Sequence, residues 1–354
     1  MTSTSAHVSP ALAGWLHDHA EALDSGTIDS LQVLPRLAAD GVFARGTAAG
    51  QGSGDIGHAI ETIAQLATHS LTAAFVGWGQ SVVIETLLRG ANPRLAEACL
   101  PELLAGRLAG ASGLSNAIKS LGGFDRLRIQ AAERPGGWAL TGRVDWITNL
   151  RPAGFLATAA TATPQGGIAI VALRDHVQGL TRHPDLPLMG LRASSTAALD
   201  LVDLPLAPAD VIHPDARQFL PGLRPVLVGL QCGFAIGLAR AGLHASAGRA
   251  DVLAPAHEAR AARLATLTAE LLQGVRQERF VTQPARLFAL RIALAETAQQ
   301  AVELELQATG GAAYLQGEGG FARRWREAAF LPIVTPSLVQ LKTELSRLQA
   351  PGSR

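Results

Sequence analysis

Cysteine is nearly absent from this 354-residue chain. Cys99 and Cys232 are far apart, and no CxxC pair or Cys/His cluster surrounds either. That leaves no basis for a zinc site or a secreted disulfide framework, and both thiols are expected to be buried in a reducing cytoplasm. Charge is also scarce: 17% of residues are charged and the formal net charge is +1. With no basic excess to displace phosphate counterions, nucleic acid is not an expected partner. The N-terminus has no basic stretch leading into an apolar one, so it does not read as a signal peptide. Apolar runs are interrupted: Pro225 to Ala241 contains Gln231 and Arg240, which suits a buried helix better than a membrane span. The histidines show no metal-ligand spacing, and G-x-S-x-G, Walker and G-x-G-x-x-G motifs are all missing. Hydrolase, NTPase and Rossmann-type NAD readings therefore lack support, and no metal is expected.

What the chain does have is core material, at 48% hydrophobic residues. Its texture changes twice. Residues 1–109 are rich in Ala and Leu at helical spacing, as in Leu31, Leu34 and Leu37, with Pro35 marking a helix start and Thr72–Gly90 reading as a buried helix. Gly46–Gly57 reads as a glycine-rich loop. Residues 110–217 have β character. Gly136-Gly137 forms a hairpin turn, Phe155–Ala162 and Gly167–Leu173 are short strand-like runs, and Ala197–Leu204 alternates apolar and polar residues. Residues 218–354 return to helix, with candidates at Pro225–Leu253, Ala256–Arg279, Pro284–Thr309 and Arg323–Leu348. The predicted fold class is thus α+β: an N-terminal helical domain, a middle antiparallel β domain and a C-terminal four-helix bundle.

Several local segments occur in the order found in one known family. Gly142 to Asn149 contains Trp146-Ile147-Thr148-Asn149 after the hairpin, Gly190 to Thr196 reads G-x-R-x-S-x-T before a strand, and Gln307 to Tyr314 reads Q-x-x-G-G-x-x-Y. Arg326-Glu327-Ala328 follows. In these segments and in its architecture the chain resembles the acyl-CoA dehydrogenase superfamily, whose members carry W-I-T/S-N, G-x-R-x-S-x-T, Q-x-x-G-G-x-G-Y and R-D-A at corresponding places. The resemblance implies a flavin, FAD or alternatively FMN or reduced flavin supplied by a reductase. It places Trp146 and Ile147 beside the flavin and Thr148 at its reactive edge. Leu114 and Ser115 lie where the family has L-T-E-P, with Asn116 in place of the acidic residue. Gln307, Gly310 and Gly311 correspond to the segment that meets the dinucleotide of a neighbouring subunit, which implies a homodimer or homotetramer. Read locally, Trp146 is a core aromatic, the Ser-Asn-Gly stretch an ordinary turn and Gly310-Gly311 a helix C-cap.

Two departures alter the functional expectation. The family's catalytic glutamate falls at Thr335, and its alternative position falls at Leu223 before Arg224, so neither place holds a carboxylate. Glu327 and Glu344 lie nearby and are expected in solvated helix pairs. The R-x-Q-F-G segment that meets the pyrophosphate is missing around residues 250–257, with Arg249 and Arg260 as candidate substitutes. No catalytic residue is assigned. The leading reading is a flavin-dependent oxidoreductase acting on a CH–CH group of an acyl thioester or similar small molecule. The alternatives are a two-component flavin-dependent monooxygenase, which needs no α-proton base but a flavin reductase as partner, and a non-catalytic scaffold.

Overall fold

The computed structural model describes residues 8–44, 54–249, 251–315 and 320–349. Residues 46–53 of the expected glycine-rich loop lie outside these. Among the described residues, five α-helices open the fold: α1 (Pro10–Ser25), α2 (Val33–Ala39), α3 (Ile56–His69), α4 (Leu71–Arg89) and α5 (Pro93–Leu104). Their starts are written locally. Ser9, Asp55, Ser70 and Asn92 each cap a helix by accepting a backbone N–H two or three residues on, and Pro10 and Pro93 stand at first helical positions. Pro35 sits in the first turn of α2, where its missing N–H costs nothing.

The middle section contains β1 (Ala109–Ser112), α6 (Ser115–Leu121), β2 (Gln130–Arg134), β3 (Gly137–Ile147), β4 (Phe155–Ala162), β5 (Ile168–Arg174), β6 (Leu180–Arg182), β7 (Ala197–Leu206) and β8 (Val211–His213). They form one eight-stranded sheet ordered β6-β7-β3-β2-β4-β5-β8, with β1 also paired to β4. Most pairings are antiparallel, as in the β2–β3 hairpin across Gly136, but β1 and β2 both run parallel to β4, so the sheet is mixed. β1 lies along α4 of the first helical layer, and β8 meets that layer where Ala91 N–H donates to the Ile212 carbonyl at 2.8 Å. The Ser-Asn-Gly stretch read as a turn in fact enters helix α6.

The last section is helical: α7 (Ala216–Ser246), α8 (Ala254–Arg276), the short α9 (Arg279–Thr282), α10 (Pro284–Thr309), α11 (Phe321–Phe330) and α12 (Leu338–Gln349). α10 has the predicted bounds. α7 begins nine residues earlier than expected, capped by Asp215, and runs through Pro221 and Pro225. The single helix expected over Arg323–Leu348 is two, because Pro332 and Pro336 cannot donate to a helical ladder and the chain turns between them, with a cis bond at Thr335-Pro336. α4 and α7 are each long and apolar enough to cross a bilayer, yet both are buried inside the fold as its central core helices.

Candidate functional site

A cavity of about 330 Å³ opens where the three sections meet. Its floor is aromatic. Phe75 and Trp78 of α4 lie stacked with ring centroids 5.6 Å apart, and Phe330 of α11 meets Phe75 edge-on at 4.8 Å. The indole Nε1 of Trp78 donates to the Leu227 carbonyl at 3.3 Å, so the polar atom of this ring is satisfied within the core. One wall comes from the sheet and α6, with Ser112, Leu114, Ser115, Ile118, Lys119 and Thr148. The opposite wall is the α11–α12 connection with Ile333, Val334 and Thr335.

The sheet wall is shaped by one irregularity. The β3–β7 register shifts between Val144 and Ile147, and Trp146 takes a left-handed backbone with φ of 60°. A bulge re-aims the side chain it carries. Trp146 is accordingly 61% exposed and lines the cavity, whereas its neighbours Ile147 and Thr148 are 0% and 2% exposed. Thr148 lines the cavity too, and its hydroxyl lies 3.4 Å from that of Thr196, which bonds Ser194 at 2.8 Å. Ile147 faces the core. Behind this wall Asn149, also left-handed, donates to Gln80 Oε1 at 3.0 Å and to the Gly110 carbonyl at 3.1 Å. Gln80 in turn donates to the Leu103 and Leu108 carbonyls at 2.7 and 2.9 Å. The Asn of W-I-T-N is therefore a buried tie between β3, β1 and α4, a role its place in the sequence did not disclose. Gly113, just before Leu114, is required because a Cβ there would sit 2.5 Å from the Thr158 carbonyl.

A second tie holds the mouth. Asp24 of α1 is buried, and its Oδ1 accepts the Leu191 N–H at 2.8 Å while its Oδ2 accepts Arg326 Nε at 2.7 Å. Gly190 leaves room for that carboxylate, since a Cβ would approach Oδ1 to 2.7 Å. No sequence motif pointed to Asp24, but it joins the G-x-R and R-E-A segments.

The α11–α12 wall is held from behind by two buried side chains. Arg291 Nη2 donates to the Leu331 carbonyl at 2.7 Å, and Gln231 Nε2 donates to the Thr335 carbonyl at 2.7 Å. Arg291 is fully buried, and its Nε and Nη1 have no partner among the described residues. Beside it, burial pushes the Cys232 thiol up to about 12, the guanidinium only partly opposing, so the sulfur stays protonated.

Glu327 is not solvated. It is wholly buried, accepting Arg323 Nη1 at 2.7 Å and the Leu71 N–H at 3.0 Å through Oε1 alone, with Oε2 unpartnered among the described residues. It thus anchors the start of α4. Burial raises its pKa, against the pull of Arg323 and the Leu71 N–H. Glu344 is likewise no exposed helix pair: it bridges α12 to Arg224 of α7 at 2.7 Å. The two line a second cavity of about 250 Å³ that shares Ile118 and Leu227 with the first.

No family model matches the chain. Its backbone superposes on butyryl-CoA dehydrogenase from Megasphaera elsdenii with a TM-score of 0.80 at 18% identity, covering 99% of this chain and 100% of that one. This chain has the acyl-CoA dehydrogenase fold. The same fold is seen in KijD3 in complex with FMN and a dTDP-3-amino-4-keto sugar, with a TM-score of 0.77 at 19% identity over 96% of this chain and 91% of that one. PigA with FAD and proline gives a TM-score of 0.73 at 18% identity over 96% and 98%.

Within this acyl-CoA dehydrogenase fold the sequence-predicted residues separate into three groups. Leu114, Ser115, Trp146 and Thr148 converge on the main cavity. Ile147 contributes to the core instead. Gln307, Gly310 and Gly311 lie apart from the cavity, at and just beyond the end of α10, where Gln307 and Gly310 are exposed and Gly311 has open space around it. Thr335 lines the main cavity, and Leu223 is buried beside the second. Arg249 and Arg260 bond carbonyls of their own helical turns, at Ala245 and Ala256, and line neither cavity. Among the described residues, no carboxylate, histidine or cysteine lines the main cavity.

Proposed function

We propose that this protein is a flavin-dependent oxidoreductase whose flavin ring occupies the main cavity. The observation that carries this reading is the convergence of Leu114, Ser115, Trp146 and Thr148, from α6 and β3, on one aromatic-floored cavity. A flavin ring is flat and apolar with a polar edge. Phe75, Trp78, Phe330 and Trp146 supply apolar surface, while Ser115, Thr148 and Thr196 supply hydroxyls, so the residues present fit the group. FAD is the first candidate, with FMN or reduced flavin from a reductase as alternatives. When bound, the flavin supplies hydride or electron transfer. The chain's own side chains bind the ring, orient it through Thr148, and exclude water through the apolar floor.

Between the two chemistries the cavity wall favours the monooxygenase type. A dehydrogenase of this fold needs a base beside the substrate, and Thr335 and Leu223 cannot hold a proton in the way a carboxylate does. A monooxygenase that takes reduced flavin and oxygen has no such requirement. Acyl-thioester dehydrogenation remains the competing reading. By the same resemblance the protein works as a homo-oligomer, with Gln307, Gly310 and Gly311 meeting the cofactor of a neighbouring subunit, and cytoplasmic location follows from the same reading.

The test is the visible spectrum of the purified protein. Bound yellow flavin that bleaches anaerobically with an acyl-CoA supports the dehydrogenase. A colourless protein that binds reduced FMN or FAD and then consumes oxygen supports the monooxygenase. No affinity for flavin in either redox state would leave the scaffold reading. Thr148→Ala should change flavin reactivity more than folding. Unchanged binding and turnover in that variant would mean that the reactive edge lies elsewhere.

A further inference from the structure

The main cavity has a one-sided charge. Two cations line it, Lys119 and Arg326. Arg326 is committed to Asp24 and Glu21, each at 2.7 Å. Lys119, on α6 and half-buried, has no hydrogen bond or ion pair from its ammonium among the described residues. The hydroxyls of Ser112, Ser115 and Thr335 line the same space and are also without partners among the described residues. The cavity therefore offers one uncommitted ammonium, three free hydroxyl donors and no carboxylate, above an aromatic floor. Free donors and a positive charge around apolar surface suit a ligand with an apolar body and one acidic group. A cationic ligand would find no lining carboxylate among the described residues.

Resting on the flavin reading, we propose that Lys119 is the anion-binding residue of this cavity, pairing with a carboxylate or phosphate of what binds there. The acid has two possible sources: the phosphate of the flavin or an acidic group on the substrate. Both use the same ammonium, and the experiment separates them.

Binding is measured by calorimetry for two pairs of probes on wild type, Lys119→Gln and Lys119→Arg. FMN is compared with riboflavin, and phenylacetate with phenylacetamide on the flavin-loaded protein. Wild type should prefer the anionic member of at least one pair by about tenfold, the scale of one charge-assisted hydrogen bond. Lys119→Gln should abolish that preference without altering affinity for the neutral member, and Lys119→Arg should retain most of it. Loss in the FMN pair assigns the flavin phosphate, and loss in the phenylacetate pair assigns the substrate acid. If wild type shows no preference in either pair, or if the preference survives Lys119→Gln, the proposal is overturned. Should wild type bind no flavin, the oxidoreductase reading fails by itself. The phenylacetate pair on the flavin-free protein then decides the role of Lys119 by the same criteria.

Discussion

Arg326 Nε donates to Asp24 Oδ2 at 2.7 Å, joining α11 to α1 across 302 residues of sequence. Because the other oxygen of Asp24 holds the Leu191 N–H, one carboxylate sets three segments around the cavity mouth. Burial works against the charge on Arg326, but Asp24 and Glu21 overcome it and raise its pKa, so the guanidinium is held charged.

Asp24→Asn should therefore be costly. It leaves Arg326 short of its buried partner, and breaking such a pair costs about 3–5 kcal/mol when both charges are buried. Arg326 is 25% exposed, so about 2–3 kcal/mol is expected here. Urea unfolding measures it, and a change below about 0.5 kcal/mol would mean that the tie is not structural.

Adjacent residues Trp146 and Ile147 should behave oppositely. Ile147→Ala removes a fully buried side chain and should destabilise the fold by about 2–4 kcal/mol. Trp146→Ala removes an exposed ring and should leave stability within about 0.5 kcal/mol while weakening flavin binding severalfold. Thermal unfolding and flavin titration of the two variants make the comparison. Equal stability losses would contradict the bulge geometry.

Glu327 should give the protein a pH dependence of a definite sign. Its folded pKa is raised by burial, so the native state holds a proton that the unfolded chain has released. Stability is then full below the ordinary glutamate range near 4.5 and falls as pH rises from there towards the folded value. The unpartnered Oε2 is where that proton would sit. Glu327→Gln keeps an acceptor for Arg323 and Leu71 and cannot titrate, so its stability should vary less across this window. Denaturant midpoints at several pH values test the difference.

Arg291→Met should barely change global stability, because two effects oppose. The Leu331 carbonyl loses its donor, at a cost of about 1–3 kcal/mol, while an unpaired buried guanidinium is removed. Hydrogen exchange should nevertheless rise across residues 331–337, the wall that lines the cavity. Unchanged exchange there would show that Gln231 alone secures the segment.

Both thiols should be inert in the folded protein. Cys232 is wholly buried with its pKa pushed up to about 12, and burial also raises Cys99. Only the thiolate reacts, so labelling should require unfolding.

Much of this molecule could be read along the chain. Caps, prolines and apolar spacing are local, and they determined most helices, including both ends of α10, and the order of helices, sheet and helices. The resemblance carried by local motifs also pointed to Ser115, Trp146 and Thr148, which line the main cavity. The tertiary structure decided what depends on contacts between distant segments. The bulge that turns Trp146 outward while Ile147 packs inward arises from the pairing of β3 with β7. Asp24 became part of the site only because α1 meets α11. Glu327 looked like a surface helix residue because helical spacing alone cannot say which face a neighbouring helix will cover, and the start of α4 covers it. The uncommitted charge of Lys119 is likewise a property of the assembled cavity, since it depends on which carboxylates folding brings near it and which it keeps away.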